Sequence, residues 1–353
     1  MPEQDRKQGK GRKWLLGFAI LLAAVLLYFA LKDISWGEVW QTIRSAQPAL
    51  LLVGIGLTIF NLLMRGLRWG VLLSAEKRIP PATMFWATAV GYLGNLVLPA
   101  RAGEVIRSAA LSRKTGLSIG YIFATALTER VLDVLILVII ALISAPAIGT
   151  LPGWMSQALP LMSILGAAAV LFLVLAPKFE NLLGKVIHRL PLPEKWKSGL
   201  AGFLNRFLTG GKAFQHPLRA GGFLGFSVVI LLVDGITAVI VGRALSLHFT
   251  LAQVMLFLVG LGLSSAVPST PGYVGVYQFV AVSVLPLFGV TRSQALSFVL
   301  VLLVVLCLLL RLLLLYYLFL VVVVRILPSR MFLVQIMLLL LFLLFLLLAI
   351  AIF

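Results

Sequence analysis

The stretch LVLPARAGEVIRSAAL, residues 96–111, decides the fold, because it interrupts an otherwise apolar chain with helix-disfavouring and charged side chains. Pro99 and Gly103 disfavour a continuous helix, while Glu104 and Arg107 lie one helical turn apart after the break. At membrane depth, broken backbone is tolerated only where it is buried in protein or lines a wet cavity. The stretch therefore predicts the tip of a helical hairpin whose free N–H groups suit an anionic headgroup. The alternative is a cytoplasmic loop whose arginines only set the topology.

Composition supports a membrane setting for this break. The chain has 353 residues, of which 61% are hydrophobic and 11% charged, and its mean hydropathy is +1.12. Several apolar runs approach or exceed the roughly 20 residues that cross a bilayer as a helix. We therefore predict an all-α, polytopic helical membrane protein with about seven spanning helices and two re-entrant hairpins. The candidate spans are 14–31, 49–74, 117–143, 155–176, 219–242, 294–320 and 331–353.

The net charge of +18 is best explained by topology, because the basic residues mostly border apolar runs. In one set of connections between spans, Lys and Arg number five in 1–13, two in 75–83, seven in 177–218 and two in 325–330. In the other set they number two in 32–48, none in 144–154, one in 243–250 and one in 289–293. This alternation of basic and less basic connections holds only if 82–116 and 251–290 each enter and leave the membrane on the same side. We therefore predict that both are re-entrant hairpins, in an inner (cytoplasmic) membrane with the N-terminus cytoplasmic.

An internal repeat links the two hairpins. A shift of 169 residues aligns Gly66 with Gly235, Pro99 with Pro268, and Gly103 with Gly272. Such coincidences carry weight because Pro and Gly fix backbone geometry. An odd number of crossings between equivalent points predicts an inverted repeat within one membrane domain, 1–353. Its parts are repeat 1 (about 49–176), repeat 2 (about 219–320), an amphipathic cytoplasmic connector (177–218) and extra helices 14–31 and 331–353.

The second copy of the break, AVPSTPGYVGVYQ at residues 266–278, carries no charge. It supplies hydroxyl and amide groups among three helix breakers, which predicts the less charged gate of a pair. The alternative is a proline-rich extracellular turn. The breakers are Pro268, Pro271 and Gly272, and the polar residues are Ser269, Thr270, Tyr273, Tyr277 and Gln278.

Ionisable residues also occur inside predicted spans, where they are costly and functional by default. In TALTERVLDVL, Glu129 and Asp133 share a helical face, and Arg130 lies one turn from Asp133. These groups either line a buried site, where a carboxylate could carry a proton, or form a salt bridge at the interface. Arg65 and Arg68 lie one turn apart in the second span; the repeat pairs Arg65 with Asp234, and the alternative is that both arginines snorkel to the interface.

Three motifs together resemble the flippase-like membrane domain of lysylphosphatidylglycerol synthases. They are GNLVLPARAGEVIR (94–107), ATALTERVLDVL (124–135) and PSTPGYVGVYQ (268–278), within a likeness over roughly residues 10–300. The resemblance implies a helical bundle with internal symmetry that moves a lipid between leaflets. It also implies that these charged residues matter here: Arg101, Glu104, Arg107, Glu129, Arg130 and Asp133.

The chain departs from the family in two places. It has no soluble aminoacyl-transferase domain, so we expect it to act as a stand-alone member that does not make the lipid. The family's second motif resembles Pro-Gly-Gly-x-Gly-x-x-Glu, whereas here Tyr273 replaces the second Gly and Gln278 replaces the acid.

The predicted function is a lipid flippase that moves an anionic phospholipid or polyprenyl-linked lipid, with Arg101 and Arg107 holding the phosphate. The alternatives are an integral-membrane enzyme acting on lipid phosphates and a non-transporting assembly subunit. We expect no enzyme activity, no cofactor and no metal, because no His-based nucleophile and no metal-binding carboxylate cluster is visible. The expected partner is the membrane lipid, with no nucleic acid, and a homo-oligomer is left open. The predicted substrate-binding residues are Arg65, Arg68, Arg101, Glu104, Arg107, Glu129, Arg130, Asp133, Asp234, Ser269, Thr270, Tyr273, Tyr277 and Gln278.

Overall fold

The computed structural model describes residues 20–98, 102–144, 151–175, 216–264 and 271–306, with Gly17, Pro193, Lys197 and Gly202 as isolated positions. All elements in these ranges are helices, which confirms the all-α prediction. They are α1 (Ile20–Leu31), α2 (Trp36–Arg44), α3 (Pro48–Leu73), α4 (Pro81–Val97), α5 (Gly103–Thr115), α6 (Ile119–Ser144), α7 (Gly153–Leu175), α8 (Pro217–Ala244), α9 (Leu251–Ser264), α10 (Val276–Val284) and α11 (Arg292–Leu306), with 3₁₀ turns at Pro271–Tyr273 and Leu285–Phe288.

Some predicted features lie outside the described residues. These are most of the connector 177–218, the helix 331–353, and the residues Pro99, Arg101, Pro268, Ser269 and Thr270.

Two described helices, α3 and α8, are long and apolar enough to cross a membrane. The pair α1 and α2 counts as a third candidate span if its two helices, which meet at 84°, are taken together. Helix α6 has the 26-residue length of α3 but carries Glu129, Arg130 and Asp133 in its middle. A helical membrane protein is therefore established, while the number of seven spans stays a prediction.

Helices α3 and α8 pack against each other in antiparallel orientation. Near the start of α3, Gly54 lies against Val241, and near its end Val71 lies against Gly222. Beside them, the N–H of Gln47 donates to the carbonyl of Ala244 at 2.8 Å. One end of the bundle, which we call the basic end, carries the exposed Lys77, Arg78, Arg113 and Lys114, with Arg219 nearby. We call the other end, which carries α2, the opposite end.

Apolar packing divides along this axis. A cluster around Trp69, Met84 and Phe223 fills the region toward the basic end, where α3, α4, α5, α6 and α8 meet. A larger cluster, which includes Phe257 and Phe298, joins α2, α3 and α8 to α9, α10 and α11. The charged side chains described below lie between these two regions.

Helices α4 and α5 form a short antiparallel hairpin, of 17 and 13 residues. A Cβ on Gly103 would overlap the carbonyl oxygen of Gly91, and a Cβ on Gly94 would lie 2.6 Å from the Cα of Gly103. Gly103 follows the break between α4 and α5 as the first residue of α5, and it has no positive φ, so it does not use glycine's conformational freedom. Glycine is needed there because the two backbones approach too closely for a side chain.

The second break adopts the special geometry that its glycines permit. Gly272, Tyr273 and Gly275 all have positive φ, at 68°, 58° and 87°. Gly272 lies against Leu96, the penultimate residue of α4, so the second break meets the tip of the first hairpin. A Cβ on Gly275 would overlap the carbonyl of Ala23 in α1, which fixes α10 against the first helix. The structure therefore brings the two sequence motifs together.

Candidate lipid-binding cavity

A cavity of about 390 Å³ lies where the two breaks meet. Helices α3, α4, α5, α6, α8, α9 and α11 surround it, and the second break contributes Gly272, Tyr273 and Tyr277. One part of its wall is charged and another part is made of leucines. The charged lining residues are Arg65, Arg68, Glu104, Arg130, Asp133 and Asp234, and the leucines include Leu258, Leu302, Leu303 and Leu306.

Six charged side chains from α3, α5 and α6 form a closed cycle of ion pairs, which we call the charge ring. Arg68 contacts Glu129 and Asp133, each at 2.7 Å. The cycle continues from Glu129 to Arg107 at 2.9 Å and from Arg107 to Glu104 at 2.5 Å. It closes through Arg130, which lies 2.6 Å from Glu104 and 3.3 Å from Asp133. With three arginines and three carboxylates, the charge ring is neutral.

The charge ring is buried on one side and open on the other. The side chains of Arg68, Arg107 and Glu129 are each 3% exposed, whereas Arg130 is 31% exposed and lines the cavity. The guanidinium of Arg107 lies over the Trp69 ring at 4.3 Å. Aromatic faces partly compensate buried cations, which accounts for an Arg107 Nε that has no hydrogen-bond acceptor.

A second charged pair lies on the α3–α8 contact. Arg65 forms an ion pair with Asp234 at 2.5 Å, as the 169-residue shift predicts. Asn61 accepts a hydrogen bond from Arg65 and donates to both Asp234 and the carbonyl of Ile230. These contacts hold a polar crossing point between two otherwise apolar helices.

Aromatic rings line the side of the cavity contributed by the second break. Tyr273 and Tyr277 stack with centroids 4.7 Å apart and planes 12° from parallel. Gln278 does not line the cavity, because its side chain accepts the N–H of Gly275 at 2.7 Å and caps α10. The second break therefore lines the cavity with tyrosine rings, while the Gln278 amide stabilises the start of α10.

The predicted site residues separate into three groups. Most of those described line the cavity, and the Arg68 side chain does not snorkel to the interface, because two carboxylates hold it. Arg107, Glu129 and Gln278 lie behind the lining, so they could affect a ligand only through their neighbours. Arg101, Ser269 and Thr270 fall outside the described residues.

Sequence reasoning missed six polar residues that line the cavity. They are Thr58, Asn61, Tyr92, Asn95, Ser227 and Thr237. The Asn95 side chain accepts the N–H of Gly103 and so satisfies the start of α5, while Tyr92 lies 5.8 Å from the Arg65 guanidinium. The available signal was an asparagine inside an apolar run, because an amide in lipid needs a partner.

Among the described residues, no three His, Cys, Asp or Glu side chains are grouped to hold a metal ion.

Comparison with known proteins gives one family and one relative. A family model described as the lysylphosphatidylglycerol synthase TM region matches residues 14–305. A curated relative, named glycosyltransferase AglD, from Haloferax volcanii, is 26% identical in a match covering 80% of this chain and 50% of the relative. The chain thus spans about half the length of that relative. No solved structure matches.

Proposed function

This chain belongs to the lysylphosphatidylglycerol synthase transmembrane-region family, and on that premise we propose that it moves an anionic lipid between the two leaflets of a membrane. The observation that carries the proposal is the mixed wall of the cavity, with three arginines and three carboxylates on one side and leucines on the other. A lipid has the same division between headgroup and tail. Ionisable residues in membrane-spanning helices are costly and mark pathways for polar groups.

The headgroup would bind at the exposed edge of the charged wall. Arg130 and Arg65 are the most accessible arginines there, with side chains 31% and 22% exposed. Each is already paired with a carboxylate, so a lipid phosphate would replace a carboxylate rather than meet an uncompensated cation. Guanidinium groups permit this exchange because they bind phosphate and carboxylate alike with two parallel hydrogen bonds. Arg101, which lies between α4 and α5 in the sequence, is a further candidate ligand.

The proposed mechanism uses an inverted repeat. Helices α3, α4 and α5 shifted by 169 residues correspond to α8, α9 and α10 with bounds that differ by a few residues. The antiparallel contact of α3 with α8 centres near Leu63 and Leu232, which are themselves equivalent under the shift. A two-fold axis in the membrane plane predicts this arrangement. Two re-entrant hairpins, 82–116 and 251–290, would meet at this axis and open alternately to each side.

The proposed orientation places the basic end in the cytoplasm of a cell with this protein in its inner membrane. Five exposed or nearby basic residues lie at that end of α3, α5 and α8. Cytoplasmic loops carry such an excess of Lys and Arg. They would also attract anionic headgroups toward the charged wall of the cavity.

The second candidate is an integral-membrane enzyme that acts on lipid phosphates, and the name of the Haloferax volcanii relative favours it. That name belongs to a protein about twice as long as the matched region. In this candidate, the cavity would hold the lipid for chemistry on its headgroup. A subunit that neither transports nor catalyses is the third candidate.

A translocation assay separates these candidates. The purified chain is placed in vesicles of phosphatidylethanolamine and phosphatidylglycerol that contain a fluorescent phosphatidylglycerol or polyprenyl phosphate, and dithionite reports the label in the outer leaflet. We expect faster translocation than in empty vesicles. No acceleration with any of these lipids would refute transport, and release of phosphate from them would support the enzyme.

Matched variants test the assigned site. Arg130→Gln should slow translocation at least tenfold, because the most exposed arginine of the charge ring is removed. Arg113→Gln removes an exposed arginine at the basic end and should leave the rate within about twofold, as expected of a screened surface charge. Equal effects of the two variants would show that only bulk surface charge matters.

A further inference from the structure

We propose that α2 is an interfacial helix that lies flat in the headgroup region at the opposite end of the bundle, and that the lipid surface is the partner of its exposed aromatic face. The helix spans Trp36–Arg44 and turns 84° away from α1. Four of its nine residues, Glu38, Gln41, Thr42 and Arg44, are polar or charged. If α2 were instead the second half of a broken membrane span, these polar side chains would be buried in lipid.

The aromatic side chains at this corner form a belt. Tyr28 and Phe29 lie in the last turn of α1, Trp36 and Trp40 lie on α2, and the exposed fractions of these four side chains run from 49% to 64%. Arg44 lies 4.8 Å from the Trp40 ring. Trp and Tyr concentrate where apolar ring bodies meet hydrocarbon and polar edges meet headgroups, and an arginine beside them reaches phosphate. The belt therefore fits a bilayer interface.

The angular order of residues around α2 gives it three sides. At about 100° per residue, Val39 faces the protein and is 4% exposed, Trp36 and Trp40 follow on the next side, and Gly37 and Gln41 complete the exposed surface. A helix exposed only to water would not be expected to carry two adjacent exposed tryptophans, and a helix that crosses lipid would not be expected to carry a polar side. Three sides match protein, lipid and water, which is the pattern of an interfacial helix.

Helix α2 is fixed to the start of α11 by side-chain hydrogen bonds. The hydroxyl of Thr291 donates to Glu38 at 2.7 Å, and the N–H of Ser35 donates to the hydroxyl of Ser293 at 3.0 Å. Arg292 donates to the carbonyl of Phe29 at 2.7 Å. The beginning of α11 therefore lies at the same level as α2.

This level sets the depth of the cavity. From Ser293, Leu302 lies nine residues and Leu306 thirteen residues along α11, or about 14 and 20 Å at 1.5 Å per residue. Half the hydrocarbon thickness is about 15 Å. If α2 marks the interface, the leucine wall of the cavity lies near the bilayer midplane.

Spin-label accessibility tests the proposal without relying on transport. Cysteines are introduced singly along residues 36–44 of the full chain, in a Cys307→Ser background, and labelled in phosphatidylethanolamine–phosphatidylglycerol vesicles. We expect labels at 36 and 40 to favour oxygen over a water-soluble nickel chelate by at least fivefold, and labels at 37 and 41 to show the reverse. A label at Phe60, exposed on α3, serves as the deep reference, and one at Lys32 as the aqueous reference.

Three outcomes would overturn the proposal. A membrane depth of the labels that changes steadily from residue 36 to residue 44 would make α2 the second half of a broken membrane span. Nickel accessibility at all sites would make it a free surface helix, and protection from both reagents would indicate a protein partner. If labelling disturbs the fold, quenching of tryptophan fluorescence by brominated lipids gives the second measurement: the Trp36→Phe/Trp40→Phe variant should be quenched less than the intact chain with its seven tryptophans, and equal quenching would overturn the proposal.

Discussion

Replacing Glu129 by glutamine tests whether the charge ring acts as one electrostatic unit. Glu129 is 3% exposed and is the carboxylate shared by Arg68 and Arg107, at 2.7 and 2.9 Å. The amide keeps the size of the side chain but leaves the ring with a net charge of +1. Removing one partner of a buried ion pair costs about 3–5 kcal/mol, because the remaining charge is uncompensated. We expect a loss of that size in the free energy of unfolding.

The same reasoning predicts a recovery in a double variant. Arg107→Met alone leaves the ring with a net charge of −1, and we expect it also to cost about 3–5 kcal/mol. Glu129→Gln combined with Arg107→Met restores neutrality, so the double variant should be about 1–3 kcal/mol more stable than the sum of the single losses predicts.

The assay is reversible unfolding in mixed detergent micelles, followed by far-ultraviolet circular dichroism. Glu76→Gln is the matched control, because Glu76 is exposed at the basic end and its neutralisation should change stability by less than about 0.5 kcal/mol. Single losses that add within about 0.5 kcal/mol in the double variant would refute the idea of a coupled ring.

Two further variants test packing and the crossing point. Gly103→Ala should destabilise the chain by about 1–3 kcal/mol, because its methyl group would overlap the Gly91 carbonyl. A thermal melt measures this loss. Gly56→Ala is the control and should lose no stability, because a Cβ at Gly56 meets open space. Exchanging the charges of Arg65 and Asp234 tests the ion pair between α3 and α8: each single reversal should slow lipid translocation at least tenfold, because like charges then face each other, and the double reversal should recover much of the rate. A folded double variant that stays inactive would contradict the proposed role of the pair.

The helix bounds were predictable because lipid imposes a length on apolar segments. The sequence predicts a span at 49–74, and α3 occupies Pro48–Leu73; the predicted span 219–242 becomes α8, Pro217–Ala244. Helix α2 was not predicted. Its apolar residues recur with helical period over only nine positions, so they add too little hydrophobicity to stand out between two long spans.

The charge ring was predictable only in part. Spacing along one helix accounts for the pairs Glu104–Arg107 and Arg130–Asp133, which lie one turn apart. The contacts of Arg68 with Glu129 and of Arg107 with Glu129 join three different helices. They depend on how α3, α5 and α6 rotate against one another, and the largely apolar sequences of α3 and α6 do not fix that rotation.

The proposed repeat offers an argument about why the charge ring exists. Under the 169-residue shift, Arg107 corresponds to Val276 and Glu129 to Phe298, which are buried at 3% and 0% exposure. At these two positions the second half has apolar packing in place of charge. Well-packed apolar side chains are often as stabilising as a buried ion pair or more so. Stability alone therefore does not require ions in the first half, and the asymmetry favours a role in binding, with the headgroup held on the side of the first hairpin and the tail against the apolar side of the second half.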